Sequence, residues 1–217
     1  DIGGFVAKAK DLLEATVDIP PGYLLVWSGQ FEYMERAAKQ LRVVVPLTLF
    51  IIFLLLYFNF RNITEPLVVM LSVPFALIGG IWLIYWLNFN LSVAVAVGFI
   101  ALAGVAAEIG VLVLTFIDHE IERRKQQHGG QLPYEQIMDA VYTGTSERVR
   151  PIVMTATAIF AGLLPIMWDS GTGSEIMQRI AAPMVGGMIS VTVLSLLVLP
   201  VIYGLILQFQ MRRADGS

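Results

Sequence analysis

The chain has 217 residues, 57% hydrophobic and only 14% charged, with a formal net charge of −3 and a mean hydropathy of +0.74. Soluble domains carry about 25% charged residues, so the composition excludes an ordinary soluble domain and implies an α-helical integral membrane protein. The acidic balance gives no sign of nucleic-acid binding. The absence of cysteine excludes disulfides, thiolate metal sites and a cysteine nucleophile.

Residues 1–42 read as a small water-exposed piece. Ile2–Thr16 places apolar residues at helical spacing and predicts an amphipathic helix. Pro20-Pro21-Gly22 breaks the chain, Tyr23–Trp27 reads as a short strand and Phe31–Arg42 resumes a helical pattern. An α/β piece of this size cannot hold a core of its own, so it is expected to be the end of a larger domain. No basic segment followed by an apolar run marks a signal peptide in Asp1–Leu13. Asp1 is expected to mark a cut from a longer polypeptide.

Five apolar spans follow over residues 43–207. They are Val43–Phe60, Pro66–Leu87, Leu91–Ile117, Pro151–Trp168 and Ile180–Leu207. The charged lead-in to the first span predicts one continuous helix from the water-exposed piece into the membrane. Trp82, Tyr85 and Trp86 form an interfacial belt at the far end of the second span, which Pro74 and Gly79-Gly80 are candidates to kink. A polar connection, 118–150, holds Arg123-Arg124-Lys125, a His128-Gly129-Gly130 break and an amphipathic stretch around Tyr134–Val141. Residues 208–217 form a tail with Arg212-Arg213.

Lysine and arginine are distributed unevenly between the two faces. Arg61, Arg123, Arg124, Lys125, Arg148, Arg150, Arg212 and Arg213 fall on one face, whereas the short loops of the other hold only Arg179. By the positive-inside rule the first face is cytoplasmic. The N-terminal piece is then outside, periplasmic if the source is a Gram-negative bacterium, and the C-terminus is cytoplasmic.

The third span carries the strongest chemical signal. Its one ionisable side chain, Glu108, lies ten residues before Asp118, where polar sequence resumes. At about 1.5 Å per residue that is about 15 Å deep, near the middle of a hydrocarbon core about 30 Å thick. Placing a carboxylate there costs on the order of 2.5–3.5 kcal/mol and marks an ion or proton pathway by default. The alternative is a carboxyl hydrogen-bonded only to fix packing. Ala101, Ala103, Gly104, Ala106, Ala107 and Gly110 surround it. Small residues let helices approach closely, so Glu108 is expected to face protein.

Other candidates are weighed against simpler roles. Arg148 and Arg150 sit where the fourth span begins, and anchoring topology is the simpler role. Thr155 is seven residues after Arg148, two helical turns, and shares its face. It is placed to pass a proton or water toward Glu108, unless its hydroxyl only bonds its own helix backbone. Met177, Met184 and Met188 also fall on one helical face. Thioethers select soft monovalent metals, but methionine is equally an adaptable core filler. That reading is favoured for Met184 and Met188, whereas Met177 sits beside a glycine-rich polar loop where a ligand could arrive. His119 and His128 read as solvated surface residues. No Walker loop, zincin motif, nucleophile elbow or paired-carboxylate site appears, so ATP-driven or hydrolytic activity has no basis here.

The segments DIGGFV, IPPGYLLVWSGQFEYMERA, NFRNITEPL, GFIALAGVAAEIGVLVL, RVRPIVMTATAIFAGLLPIMW and GSEIMQRIAAPMVGGMIS resemble the C-terminal part of resistance-nodulation-division (RND) efflux pumps. The resemblance covers essentially the whole chain and is to the heavy-metal branch, nearest the CusA-type copper/silver exporters. It implies a homotrimeric inner-membrane pump of twelve spans per subunit, of which these are the last five. It also implies proton antiport with Cu(I)/Ag(I), a periplasmic adaptor and an outer-membrane channel as partners, and no cofactor. On this likeness 1–42 ends a periplasmic porter domain.

The resemblance also assigns roles to single positions. Glu108 stands at a relay position that is glutamate in metal pumps and lysine in drug pumps. Arg148 and Thr155 match relay residues of the drug-pump branch. Met177 matches a methionine that passes metal through the membrane region together with one from the first half. Ile152 departs from the copper/silver pattern, which has lysine there, so the relay's cation must come from elsewhere, with Arg148 the candidate, or coupling differs. The relay aspartate and most metal-path methionines belong to the other half of such pumps. Two alternatives stay open: an RND segment for divalent metals or organic compounds, and a split, non-transporting subunit that assembles with or regulates a complete pump.

Overall fold

The computed structural model describes residues 2–17, 20, 22–23, 25–127 and 132–215, except the side chains of 2 and 212–215. Pro21, Leu24, the His128-Gly129-Gly130 break and the side chains of Arg212 and Arg213 therefore lie outside the described residues. Two compact units form, Asp1–Ile52 and Phe53–Ser217.

In the first unit, α1 is Ile2–Thr16, an amphipathic helix as its apolar spacing predicts. Lys10 stacks over the Phe31 ring, 5.1 Å from its centroid. No strand forms among the described residues of Tyr23–Trp27. A strand is stable only when a neighbour completes its backbone hydrogen bonds, and no second strand exists here among the described residues. The expected α/β character of 1–42 is thus present only in its helices. Helix α2, Gln30–Phe60, is continuous from the charged lead-in through the first apolar span, as expected.

The second unit is a helical bundle. Its helices are α3 Thr64–Trp86, α4 Val93–Gln127, α5 Tyr134–Trp168, α6 Ser174–Val193 and α7 Leu199–Asp215, with a π-helical turn at Leu194–Val198 joining the last two. With α2, the described residues include five helical segments long and apolar enough to cross a membrane, counting Ser174–Met211 as one. The π turn has an identifiable cause. Pro200 has no N–H to donate to the preceding turn and its ring crowds that carbonyl, and the Leu199 N–H reaches back five residues to the Leu194 carbonyl.

Close approach of α3, α4 and α6 builds the core. A Cβ on Gly79 would lie 2.4 Å from the Gly186 carbonyl oxygen, and one on Gly98 would lie 2.3 Å from that of Ile180. Gly79 therefore serves contact between helices. Membrane helices associate through such small-residue surfaces because lipid supplies no hydrophobic drive between them. Ser190 Oγ crosses the seam, donating to the Ala76 carbonyl at 2.8 Å.

Helices α4 and α5 have 35 residues each, about 52 Å at 1.5 Å per residue, and overshoot a core about 30 Å thick. The polar connection is therefore largely the projecting ends of these two helices. Arg124 clamps them together: Nε donates to Glu120 at 2.8 Å, Nη1 to Asp139 at 2.6 Å and Nη2 to Thr143 at 3.1 Å.

Candidate functional site

Glu108 is carried at the middle of α4, and its orientation follows from which neighbours α4 buries. Ala106, Ile109, Gly110 and Val113 face the other helices. At 100° per residue this turns Val97, Ala101, Gly104, Glu108 and Thr115 to the opposite side, and all five are exposed. A Cβ on Gly104 would meet nothing within 4 Å. Among the described residues no hydrogen bond or ion pair reaches the Glu108 side chain. The expected protein neighbour is therefore not one of these helices. Of the small residues around Glu108, Ala106 and Gly110 are buried toward the other helices, while Ala101 and Gly104 flank it on an uncovered face.

Arg148 is half-buried, and its guanidinium lies 3.2 Å from the centroid of the Phe116 ring on α4. Stacking on an aromatic face suits the delocalised, weakly hydrated guanidinium. Its Nε is buried without a hydrogen-bond partner. Arg148 is thus held by a ring eight residues from Glu108 along α4, about 12 Å away in axial rise.

Thr155 is exposed and donates to the Pro151 carbonyl at 3.1 Å, the simple role weighed for it above. Its level in the bundle can still be placed. A Cβ on Gly144 of α5 would lie 2.9 Å from Ile117 Cα on α4, and the two helices run antiparallel out of one connection. Counting eleven residues from Gly144 to Thr155, and the same number back from Ile117, reaches Ala106. Thr155 and Glu108 therefore share a level to within about one turn. Ile152 is 3% exposed and packs in the core, so this position offers the relay no charge.

The three methionines separate along α6. Met177 is 59% exposed in the first turn, Met184 is half-buried and Met188 is 2% exposed. Met188 thus has the environment of a core filler, as favoured. Met177 follows the loop 169–173, where Gly173 adopts φ +90° and Gln178 Nε2 donates to the Asp169 carbonyl at 2.7 Å. Among the described residues no group of three histidine, cysteine, aspartate or glutamate side chains could hold a metal ion. A soft-metal thioether site would need ligands beyond Met177.

One polar centre was not anticipated. Glu65 at the start of α3, Asp118 on α4 and Tyr203 on α7 converge at the arginine- and lysine-rich end of the bundle. The Tyr203 hydroxyl lies 3.2 Å from Glu65 Oε1 and hydrogen-bonds Asp118 Oδ1. Glu65 Oε1 also accepts from Asn62 Nδ2 at 3.2 Å. The two carboxyls are 53 residues apart in sequence (118 − 65), so no linear pattern announces the pair. The available signal was Tyr203 itself, a phenol inside an apolar helix that needs a polar partner.

Residues 1–207 match the AcrB/AcrD/AcrF family. The chain is 50% identical over 206 residues to the cation efflux system protein CusA of Escherichia coli K12, covering 94% of this chain and 20% of that protein. It is 41% identical over 205 residues to the cobalt-zinc-cadmium resistance protein CzcA of Cupriavidus metallidurans, covering 94% and 18%. A crystal structure of a heavy metal efflux pump superposes with a TM-score of 0.78 at 34% identity, covering 96% of this chain and 20% of that one. The chain thus spans about a fifth of the length of these relatives.

Proposed function

From the premise that the chain belongs to the AcrB/AcrD/AcrF family, among its heavy-metal RND efflux pumps, we propose that it is the C-terminal membrane segment of a proton-driven Cu(I)/Ag(I) exporter of the bacterial inner membrane. Glu108 carries the proton and Met177 belongs to the metal path. The observation that carries this reading is the uncovered face of α4, where a lone carboxyl sits mid-helix with Gly104 open beside it. A membrane carboxyl facing lipid is costly. On this reading the face is covered by the remaining half of the pump, which supplies the partners that Glu108 lacks here.

The relay works by changing what surrounds the acid. Desolvation favours the protonated carboxyl and a nearby cation favours the ionised one. A helix movement that alternates the two loads and releases a proton. A membrane potential adds about 2.3 kcal/mol per charge per 100 mV. Thr155 lies level with Glu108 and supplies a hydroxyl, and Arg148, held on Phe116, supplies the cation that Ile152 does not. Residues 1–42 end the porter domain on the periplasmic side, and the tail is cytoplasmic. The complete pump is a trimer that works with a periplasmic adaptor and an outer-membrane channel.

Soft-metal selectivity rests on Met177, a thioether in an exposed first turn. Met177→Ile in the full-length pump keeps the apolar bulk and removes the sulfur. Copper and silver resistance of cells relying on that pump should be lost, and resistance that survives intact overturns the assignment. A second reading is export of divalent metals, favoured by the 41% identity to the cobalt-zinc-cadmium protein. Under it the same variant leaves resistance unchanged and zinc or cobalt resistance tracks the pump instead.

A further inference from the structure

The centre formed by Glu65, Tyr203 and Asp118 contains one more acceptor than it has hydrogens to share. A tyrosine hydroxyl has a single hydrogen to donate and lone pairs to accept with. Two carboxylate oxygens approach it, at Glu65 Oε1 and Asp118 Oδ1. Both are acceptors only when ionised, so one hydroxyl hydrogen cannot satisfy both contacts. Both become hydrogen bonds if one carboxyl holds a proton and donates it to the phenol oxygen, while the phenol donates to the other. Burial points the same way. Glu65 is 8% exposed and Tyr203 2% exposed, and Glu65 Oε2 is buried with no partner. Two bare carboxylates in such surroundings repel and lose their water.

Among the described residues, the other groups around the centre do not supply the missing positive charge. Asn62, from the loop before α3, donates a neutral amide to Glu65 Oε1. Thr64 and Gln210 meet at its rim, 3.5 Å apart. From α5, Met138 is the side chain that meets α7 at Gly204. Lys125 is the cation that bears on Asp118. It lies seven residues further along α4, is 44% exposed and faces Glu122 at 4.0 Å.

We propose that Glu65, Tyr203 and Asp118 form a proton-binding site that holds one shared proton near neutral pH and ties α3, α4 and α7 together at the basic end of the bundle. The site as a whole keeps its single negative charge while the proton moves within it. The protonated carboxyl gives its hydrogen to the phenol oxygen as the phenol gives its own to the opposite carboxylate, so acid and base exchange places between α4 and α3 and the tyrosine stays neutral. Removing the shared proton leaves two carboxylates on one hydroxyl and loosens the junction of the three helices. The site is separate from Glu108, and the inference does not rest on the relay proposed for that residue.

Infrared spectroscopy of the purified full-length pump tests this through the carbonyl stretch of protonated carboxylic acids, recorded at about pH 7, well above the ordinary carboxyl range. The wild type should show a band that the double variant Glu65→Gln/Asp118→Asn loses. Glu108→Gln should leave that band in place. Tyr203→Phe removes the hydrogen-bond partner but keeps the ring, and should shift the band. Superimposable carboxylic-acid bands in wild type and double variant overturn the proposal, because both carboxyls are then ionised. Should the double variant fail to assemble, Tyr203→Phe decides alone: a shifted band supports the shared proton and an unshifted one contradicts it.

Discussion

Glu108 and Asp118 stand ten residues apart on one helix, in opposite surroundings. Around Asp118 the chain completes its own site, with a tyrosine from α7 and a second carboxyl from α3. Around Glu108 it provides a flat, small-residue face and no partner among the described residues. The difference separates two kinds of constraint. Asp118 belongs to the internal joinery of the five helices, so its neighbours can be read from this segment alone. Glu108 belongs to a surface that these helices leave uncovered, and on the proposed reading its chemistry depends on what the rest of a pump places opposite it.

Substitutions along α4 sharpen this contrast. The largest stability effect is expected at Gly98, whose new Cβ would lie 2.3 Å from the backbone oxygen of Ile180. Gly98→Ala forces the seam apart and should cost about 1–3 kcal/mol, read as earlier thermal unfolding of the purified pump. Gly104→Ala meets nothing within 4 Å, so the helices of this segment should tolerate it. If the full-length pump nevertheless loses stability or transport, the covering half packs directly on Gly104.

A smaller effect is expected where α5 meets α4. Phe116→Leu removes the ring beneath Arg148 and with it about 0.5–2 kcal/mol of cation–π attraction. Transport should fall several-fold while Phe116→Tyr retains it. Equal transport by all three proteins would separate Arg148 from the relay. The smallest effect is expected at Thr155, whose hydroxyl already bonds the Pro151 carbonyl. Thr155→Val should slow transport by a few-fold at most if the hydroxyl only assists the relay. Complete loss would make Thr155 an obligatory carrier.

The helical framework was legible in the sequence because hydropathy and length are local properties. The five apolar spans follow from stretches of one kind of residue and the continuous α2 from its charged lead-in, whereas 118–150 reads as a polar connection in which only the stretch around Tyr134–Val141 shows helical amphipathicity, and α4 and α5 extend into it. Where a side chain points was less legible. The small residues beside Glu108 mark a close-packing surface in sequence, but the helical turn divides them, with Ala106 toward the bundle and Gly104 away from it. The short strand at Tyr23–Trp27 did not form among its described residues because β pairing needs a partner that local sequence cannot provide. The Glu65–Tyr203–Asp118 centre was invisible for a related reason. Its members border three different spans, where an acid reads as a loop residue and a tyrosine as part of an apolar run.

Proton flux through the full-length pump reconstituted in liposomes, with wild type compared against Glu108→Gln, tests the central claim most directly. Glutamine keeps the shape and hydrogen-bonding capacity of the side chain but cannot carry a proton at any physiological pH. Metal-dependent proton movement should fall to the level of empty liposomes in the variant while the protein remains folded and trimeric. Flux at the wild-type rate would contradict the assignment of Glu108 as the proton carrier.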